Sequence, residues 1–298
     1  MLFTKSYNFS EVKTNLLSGL TVALAMVPEA IAFALIAHVS PLTGLYAAII
    51  ICLTTSAFGG RPGMISGATG ALAVVMVALV VQHGVEYLFA TVVLMGILQL
   101  IFAIFRLGKY IRMVPYSVML GFVNGLAIVI FIAQFGHFKV MSPEGISVWM
   151  SGMPLFIMMT LTAVTVLIIY IFPLATKAIP STLASILIVS IVVILFGLDT
   201  KTVGDLGSIS GGIPEFRIPN IDFNLESLRI ILPYSFLLAS IGLIETLLTL
   251  NLIDDMTDTN GKPNKESMAQ GIGNIITGFF GGMGGGAMIG QSMININN

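Results

Sequence analysis

Apolar residues run along this chain in long blocks, broken by short turns that collect its Gly, Pro and charged positions. Each block is about 17 to 25 residues, the length an α-helix needs to cross roughly 30 Å of hydrocarbon. Hydropathy predicts spans near residues 16–37, 42–59, 68–82, 87–105, 113–136, 152–172, 180–197, 230–252 and 266–281, and a tenth beginning near 287. A polar stretch, 198–229, separates the seventh from the eighth and holds Asp199, Lys201, Asp205, Glu215, Arg217, Asp222 and Glu226. The expected organisation is a first unit at 1–198, a loop at 199–229, and the start of a second unit at 230–298.

Composition agrees with lipid as the main solvent. Hydrophobic residues make up 56% and charged residues 9%, with a mean hydropathy of +1.01, whereas soluble domains carry about 25% charged residues. The single cysteine, Cys52, can build neither a disulfide framework nor a cysteine metal site. A net charge of −1 offers no basic surface for nucleic acid, and the first block is too long for a cleaved signal, so it is read as a retained span.

Orientation follows from the basic residues beside the spans. With the N-terminus inside, the inner loops receive Lys5, Lys13, Arg61, Arg106, Lys109, Arg112, Lys177, Lys262 and Lys265. The outer side receives Lys139, Lys201, Arg217 and Arg229, three of them on or beside the long loop. The expectation is an all-α, polytopic protein of a bacterial-type plasma (inner) membrane, N-terminus cytoplasmic and loop 199–229 external.

Two spans open on glycine. The third begins "SGATGALA" (66–73) after "GGRPG" (59–63), and the tenth begins "GGGAMIGQS" (284–292) after "FFGG" (279–282). Backbone without side chains cannot face lipid, so at membrane depth it must be buried in protein or line a wet cavity. Each run is a candidate broken helix. A shift of 216 residues places Glu29 over Glu245, Gly70 over Gly286 and Ala71 over Ala287. Seven spans separate the two copies, an odd number, so the second enters the membrane from the opposite side. Inverted repeats with paired broken helices are the architecture of many secondary transporters.

Of fourteen Asp and Glu residues, only Glu29 and Glu245 are expected well inside spans, where an ionisable group marks function unless it is a protonated acid that merely packs. Pro28 removes a backbone donor beside Glu29 and can kink the helix, and Phe33 lies one turn on. Glu245 with Thr246 and Thr249 offers oxygens for Na⁺ or a relay for H⁺. The glycine-rich starts expose free N–H groups and the positive end of the helix dipole, which form an anion site without Lys or Arg. Its candidate donors are the amides of Thr69, Gly70, Ala71, Gly286, Ala287 and Met288, with side chains from Ser66, Thr69, Gln291 and Ser292. Glycine-rich turns also serve tight helix packing, which is the plainer reading. His38, His83 and His137 lie at span ends without metal-ligand spacing and read as interfacial polar residues. Neither a nucleophile–base pair nor a metal-ligand set is visible, which disfavours an enzyme.

At "GLTVALAMVPEAIAFALIAHVSPLTGLYAA" (19–48), "SGATGALAVV" (66–75) and "AQGIGNIITGFFGGMGGGAMIGQSMIN" (269–295), the chain resembles the SulP family of sulfate permeases and bicarbonate transporters. The resemblance implies a seven-plus-seven inverted-repeat transporter fold broken at spans 3 and 10, and a cytoplasmic STAS domain. It implies anion contacts at Glu29, Phe33, Thr69, Gly70, Ala71, Ala287 and Met288, and a coupling-cation site at Glu245 and Thr249. Many relatives carry Gln at the place of Glu29 and a base near that of Gln291, so this chain has a less positive site, which favours symport. The chain stops at Asn298 in the tenth span, so four expected spans and any STAS domain are absent from it. The implied function is secondary active transport of a small inorganic oxyanion, sulfate or bicarbonate, with Na⁺ or H⁺ as coupling ion, no other cofactor, and a homodimer left open. A nucleobase permease of the same fold and a channel-like or scaffold protein are the alternatives.

Overall fold

The computed structural model describes residues 9–106, 134–141, 147–176, 181–202, 211–222 and 224–297, with positions 117, 120, 121, 124, 125, 128, 131, 132 and 205. Its helices are α1 (Phe9–Ile36), α2 (Pro41–Phe58), α3 (Gly70–His83), α4 (Val85–Ile104), α5 (Met153–Ala175), α6 (Ser181–Phe196), α7 (Leu225–Thr257), α8 (Pro263–Phe279) and α9 (Ile289–Asn297). The predicted fifth span, 113–136, lies mostly outside the described residues.

Sequence sets the helix ends. Pro41 sits in the first turn of α2, where its missing N–H costs nothing, and Gly59 closes the helix. Asn224 caps α7 by accepting the Ser227 N–H at 2.8 Å, and Asp258 ends it in the left-handed region at φ 49°. Among the described residues, five helices, α1, α2, α4, α5 and α7, are long and apolar enough to cross a membrane. Helix α3 has 14 residues, so it rises only about 21 Å, short of the hydrocarbon thickness. The predicted third span is therefore a short helix that begins part-way along its glycine-rich run, and α9 likewise begins part-way along the second run.

The all-α expectation misses two small sheets. Strands β1 (Ser66–Gly67) and β4 (Gly286–Ala287) pair antiparallel, Ser66 opposite Ala287 and Gly67 opposite Gly286. Strands β2 (Lys139–Met141) and β3 (Ser147–Trp149) form a hairpin, with Lys139 opposite Trp149 and its ammonium 5.0 Å from that ring. Strands of two or three residues are too short to show period-two alternation, so hydropathy is silent about them. The β1–β4 pair joins the two glycine-rich runs directly, each supplying one strand.

Helix α4 is enclosed by α7 and α8, α8 also rests on α2, and α1 packs on α2, α3 and α9. At the α4–α8 seam the backbones touch: a Cβ on Gly96 would stand 2.5 Å from the Gly271 carbonyl oxygen. Small residues at such a seam supply the van der Waals contact that hydrophobicity cannot supply inside a bilayer. The long polar loop is docked across helix ends. Phe216 stacks on Phe279 with centroids 5.6 Å apart, and the Arg217 guanidinium lies 4.2 Å from the centre of the Phe89 ring. Glu86 accepts the Asn220 N–H at 2.8 Å and Tyr46 donates to the Gly212 carbonyl at 3.0 Å.

Candidate functional site

Helix α1 brings Pro28, Glu29, Ala32 and Phe33 to a cavity of about 500 Å³, whose opposite wall is Gln134, Gly136 and His137. Phe33 is buried, and its ring lies against the start of α3: a Cβ on Gly70 would approach Phe33 Cε1 to 2.8 Å. Helix α3 starts behind Thr69, which is extended at φ −126° and makes no side-chain cap bond. The amides of Gly70 and Ala71 therefore keep the free donors of a helix start. Phe33, Thr69, Gly70 and Ala71 are thus brought together as the sequence suggests.

The second glycine-rich run is built differently. Its residues first form β4, and α9 begins only at Ile289. The Ala287 N–H donates to the Thr246 hydroxyl at 3.1 Å, and the Met288 N–H donates to the Ile65 carbonyl at 2.8 Å. Two of the three amides expected to face an anion here are thus engaged inside the protein, because the run spends two residues on a strand before turning helical. Three of the side chains proposed as anion contacts are engaged as well. The Ser66 hydroxyl accepts from Gln270 at 2.6 Å, and the Ser292 hydroxyl accepts the Ile65 N–H at 2.9 Å. Gln291 donates its side-chain amide to Glu29, tying α9 to α1.

Glu245 lies on α7 at 2% exposure, and its Oε2 has no hydrogen-bond partner. Gly286 stands against it: a Cβ there would be 3.4 Å from the Thr246 hydroxyl and 3.6 Å from Glu245 Oε2. The Thr69 hydroxyl, also without a partner, stands beside the same carboxyl short of a hydrogen bond, and Glu29 is within its electrostatic reach. A buried carboxylate oxygen with no donor is an uncompensated charge unless it takes a cation or a proton, so this donor set fits either. Thr249 is fully buried one turn on, with its hydroxyl donating to the Glu245 main-chain carbonyl at 2.8 Å rather than to the carboxyl. Its lone pairs, not its proton, are what it can offer.

Sequence reasoning missed a buried ionic cluster. Hydropathy leaves Arg61 in a loop and Glu266 at the very start of the ninth span, yet both are buried. Arg61 pairs with Asp254 at 3.1 Å and donates to the Ile253 carbonyl at 3.0 Å, capping the last turn of α7, while the Thr257 and Thr259 hydroxyls also accept from it. Glu266 Oε2 accepts the N–H of Gly60 at 2.7 Å and of Arg61 at 3.2 Å. One available signal was the glycine pair Gly59–Gly60: a Cβ on Gly60 would stand 2.2 Å from the Lys262 carbonyl oxygen, so the α2–β1 turn lies on the α7–α8 turn. At the cavity wall, burial first and then Lys201 hold the His137 imidazole below its ordinary range, which keeps it neutral at pH 7.

Comparison with known proteins places this geometry. A family model described as the sulfate permease family matches residues 12–298. YbaR of Bacillus subtilis (strain 168), named for sulfate transport, is 51% identical across 96% of this chain and 57% of its own length. The bicarbonate transporter BicA of Picosynechococcus is 30% identical across 100% of this chain and 56% of its own. The chain thus spans little more than half the length of these relatives. Among solved structures, the transmembrane domain of a cyanobacterial BicA superposes with a TM-score of 0.75 at 30% identity, over 98% of this chain and 78% of that one. The murine Solute Carrier 26 member A9 anion transporter superposes at 0.71 with 15% identity, over 99% of this chain and 54% of that one, and shares the fold.

Proposed function

The chain belongs to the sulfate permease family, and from that premise we propose that it is the substrate-binding part of a secondary active transporter for a small inorganic oxyanion, sulfate or bicarbonate. The observation that carries the reading is the β1–β4 pair, one strand of which leads into the free amides of Gly70 and Ala71 while the other stands, at Gly286, against the orphaned carboxyl oxygen of Glu245. An oxyanion is held by the amides and the positive end of α3, with the Phe33 ring closing one side. Glu245 takes Na⁺ or H⁺, Thr249 contributing an oxygen. The bound cation offsets the buried charge, so the loaded site crosses the membrane and the empty one does not.

Glu29 fits the same scheme. Gln291 satisfies one of its oxygens, and the acid adds negative charge beside the cavity, which makes an uncompensated anion less welcome and supports symport over free exchange. The two glycine-rich runs and their preceding helices are read as inverted copies of one unit, with the N-terminus in the cytoplasm. The test is uptake of radiolabelled sulfate and bicarbonate into proteoliposomes holding the full-length protein. Saturable, mutually competitive uptake is expected, and the absence of uptake of either anion would overturn the assignment.

A further inference from the structure

One face of α8 is polar where the helix is most enclosed. Gln270 and Asn274, four residues apart and so one above the other, are fully buried, as is Gln99 of α4. Gln270 donates to Ser66 Oγ at 2.6 Å, at the head of β1. Asn274 grips the other run from both sides: its Oδ1 accepts the Gly285 N–H at 2.9 Å and its Nδ2 donates to the Gly285 carbonyl at 3.0 Å. The same Nδ2 donates to Gln99 Oε1 at 2.9 Å. The backbone N–H and carbonyl of Gly285 leave only one orientation of the Asn274 amide that satisfies both, and the Gln99 carbonyl reinforces it. Gly284, next in the run, sits at φ +75°, and a Cβ there would stand 3.1 Å from Asn274 Oδ1.

Adjacent turns of one helix therefore hold the two runs that pair as β1 and β4. The helix acts as a ruler. The backbone pairing sets the width of the β1–β4 pair, and the spacing of Gln270 and Asn274 along α8 sets where that pair stands in the bundle, and hence where the start of α3, three residues past Gly67, presents its amides beside Phe33. The donors of both side-chain amides are spent on groups within the protein.

Building on the transport reading above, we propose that Gln270 and Asn274 are positioning residues that anchor the β1–β4 pair on α8, and with it the start of α3, and thereby set which oxyanion the site accepts. A site whose donors are held in one place discriminates between a tetrahedral and a planar oxyanion. One that is free to breathe does not, because preorganisation is what turns contacts into selectivity.

The test uses the full-length protein in proteoliposomes with Gln270→Met, Asn274→Leu and Gln99→Met. The readout is the ratio of half-saturation concentrations for sulfate and bicarbonate, which does not depend on how much protein is folded. Gln270→Met and Asn274→Leu are expected to move that ratio by about fivefold, the scale of one hydrogen bond. Gln99→Met leaves the Asn274–Gly285 pair intact and should move it the same way by a smaller factor. Amide hydrogen exchange gives a second readout without substrate: residues 64–67 should exchange faster in Gln270→Met and residues 284–288 in Asn274→Leu, with α1 unchanged. Should Asn274→Leu not fold, the other two variants decide. A lower melting temperature with an unchanged ratio and unchanged local exchange would overturn the proposal. If the wild-type protein takes up neither anion, the transport reading falls, and the exchange measurement alone upholds or overturns the ruler.

Discussion

The glycine-rich run that leads into α3 and the one that leads into α9 pair with each other, yet their amides meet different ends. In the first run, Gly70 and Ala71 open a helix directly and face the Phe33 ring with their donors free. In the second, Ala287 and Met288 give their donors to Thr246 and to Ile65. Both runs come up to the same acid, through Thr69 in the first and Gly286 in the second. Gly286 stands against Glu245, whose free oxygen calls for positive charge. On the proposed reading, two similar sequences divide the work of a coupled site, the first presenting donors to an anion and the second bracing the strand pair beside the carboxylate proposed to take the cation.

The most severe way to break that division is Glu245→Gln, which keeps the shape and removes the charge. Accumulation driven by a cation gradient should be lost outright, while equilibrium binding of anion, measured by isothermal titration, should persist. Next in size is Gly70→Val. With Phe33 2.8 Å from the position of a Cβ, the ring must move away from the donors, and overpacking of about 1–3 kcal/mol predicts roughly a tenfold rise in the anion half-saturation concentration. Gly286→Val meets nothing closer than the Gly242 carbonyl oxygen at 3.3 Å, so its effect on anion affinity should be smaller than that of Gly70→Val. Equal effects in the two variants would erase the difference between the runs. Thr246→Val unpairs the Ala287 N–H at a cost of about 1 kcal/mol and should change cation dependence severalfold more than anion affinity. The smallest expectation is at the cavity wall. His137 titrates below its ordinary range, so it is already neutral at pH 7 and gains its proton only as pH falls further; His137→Gln should leave the uptake profile between pH 7 and 8 unchanged.

Much of this could be read before any coordinates. Blocks of apolar residues of membrane-crossing length place α1, α2, α4, α5 and α7, and the rarity of acids inside those blocks singles out Glu29 and Glu245. Glycine marks both runs as backbone that must be sheltered. What hydropathy cannot see is pairing. Nothing in "SG" or "GA" announces a strand, so the pairing of the two runs emerges only from the β1–β4 register. Nor does it see that a polar residue beside glycine can be buried by a neighbouring turn, which is how Arg61 and Glu266 come to lie inside. The amides of Ala287 and Met288 are misjudged for the same reason: their acceptors, Thr246 and Ile65, lie far away in sequence.

The division between the runs is tested most directly by one experiment on the full-length protein in proteoliposomes, with Na⁺ and pH gradients imposed separately and labelled anion followed in wild type, Gly70→Val and Glu245→Gln. The account predicts that Gly70→Val still accumulates anion under the gradient once the anion concentration is raised, and that Glu245→Gln equilibrates anion without accumulating it at any concentration. Accumulation by Glu245→Gln with the same Na⁺ and pH dependence as wild type would contradict it.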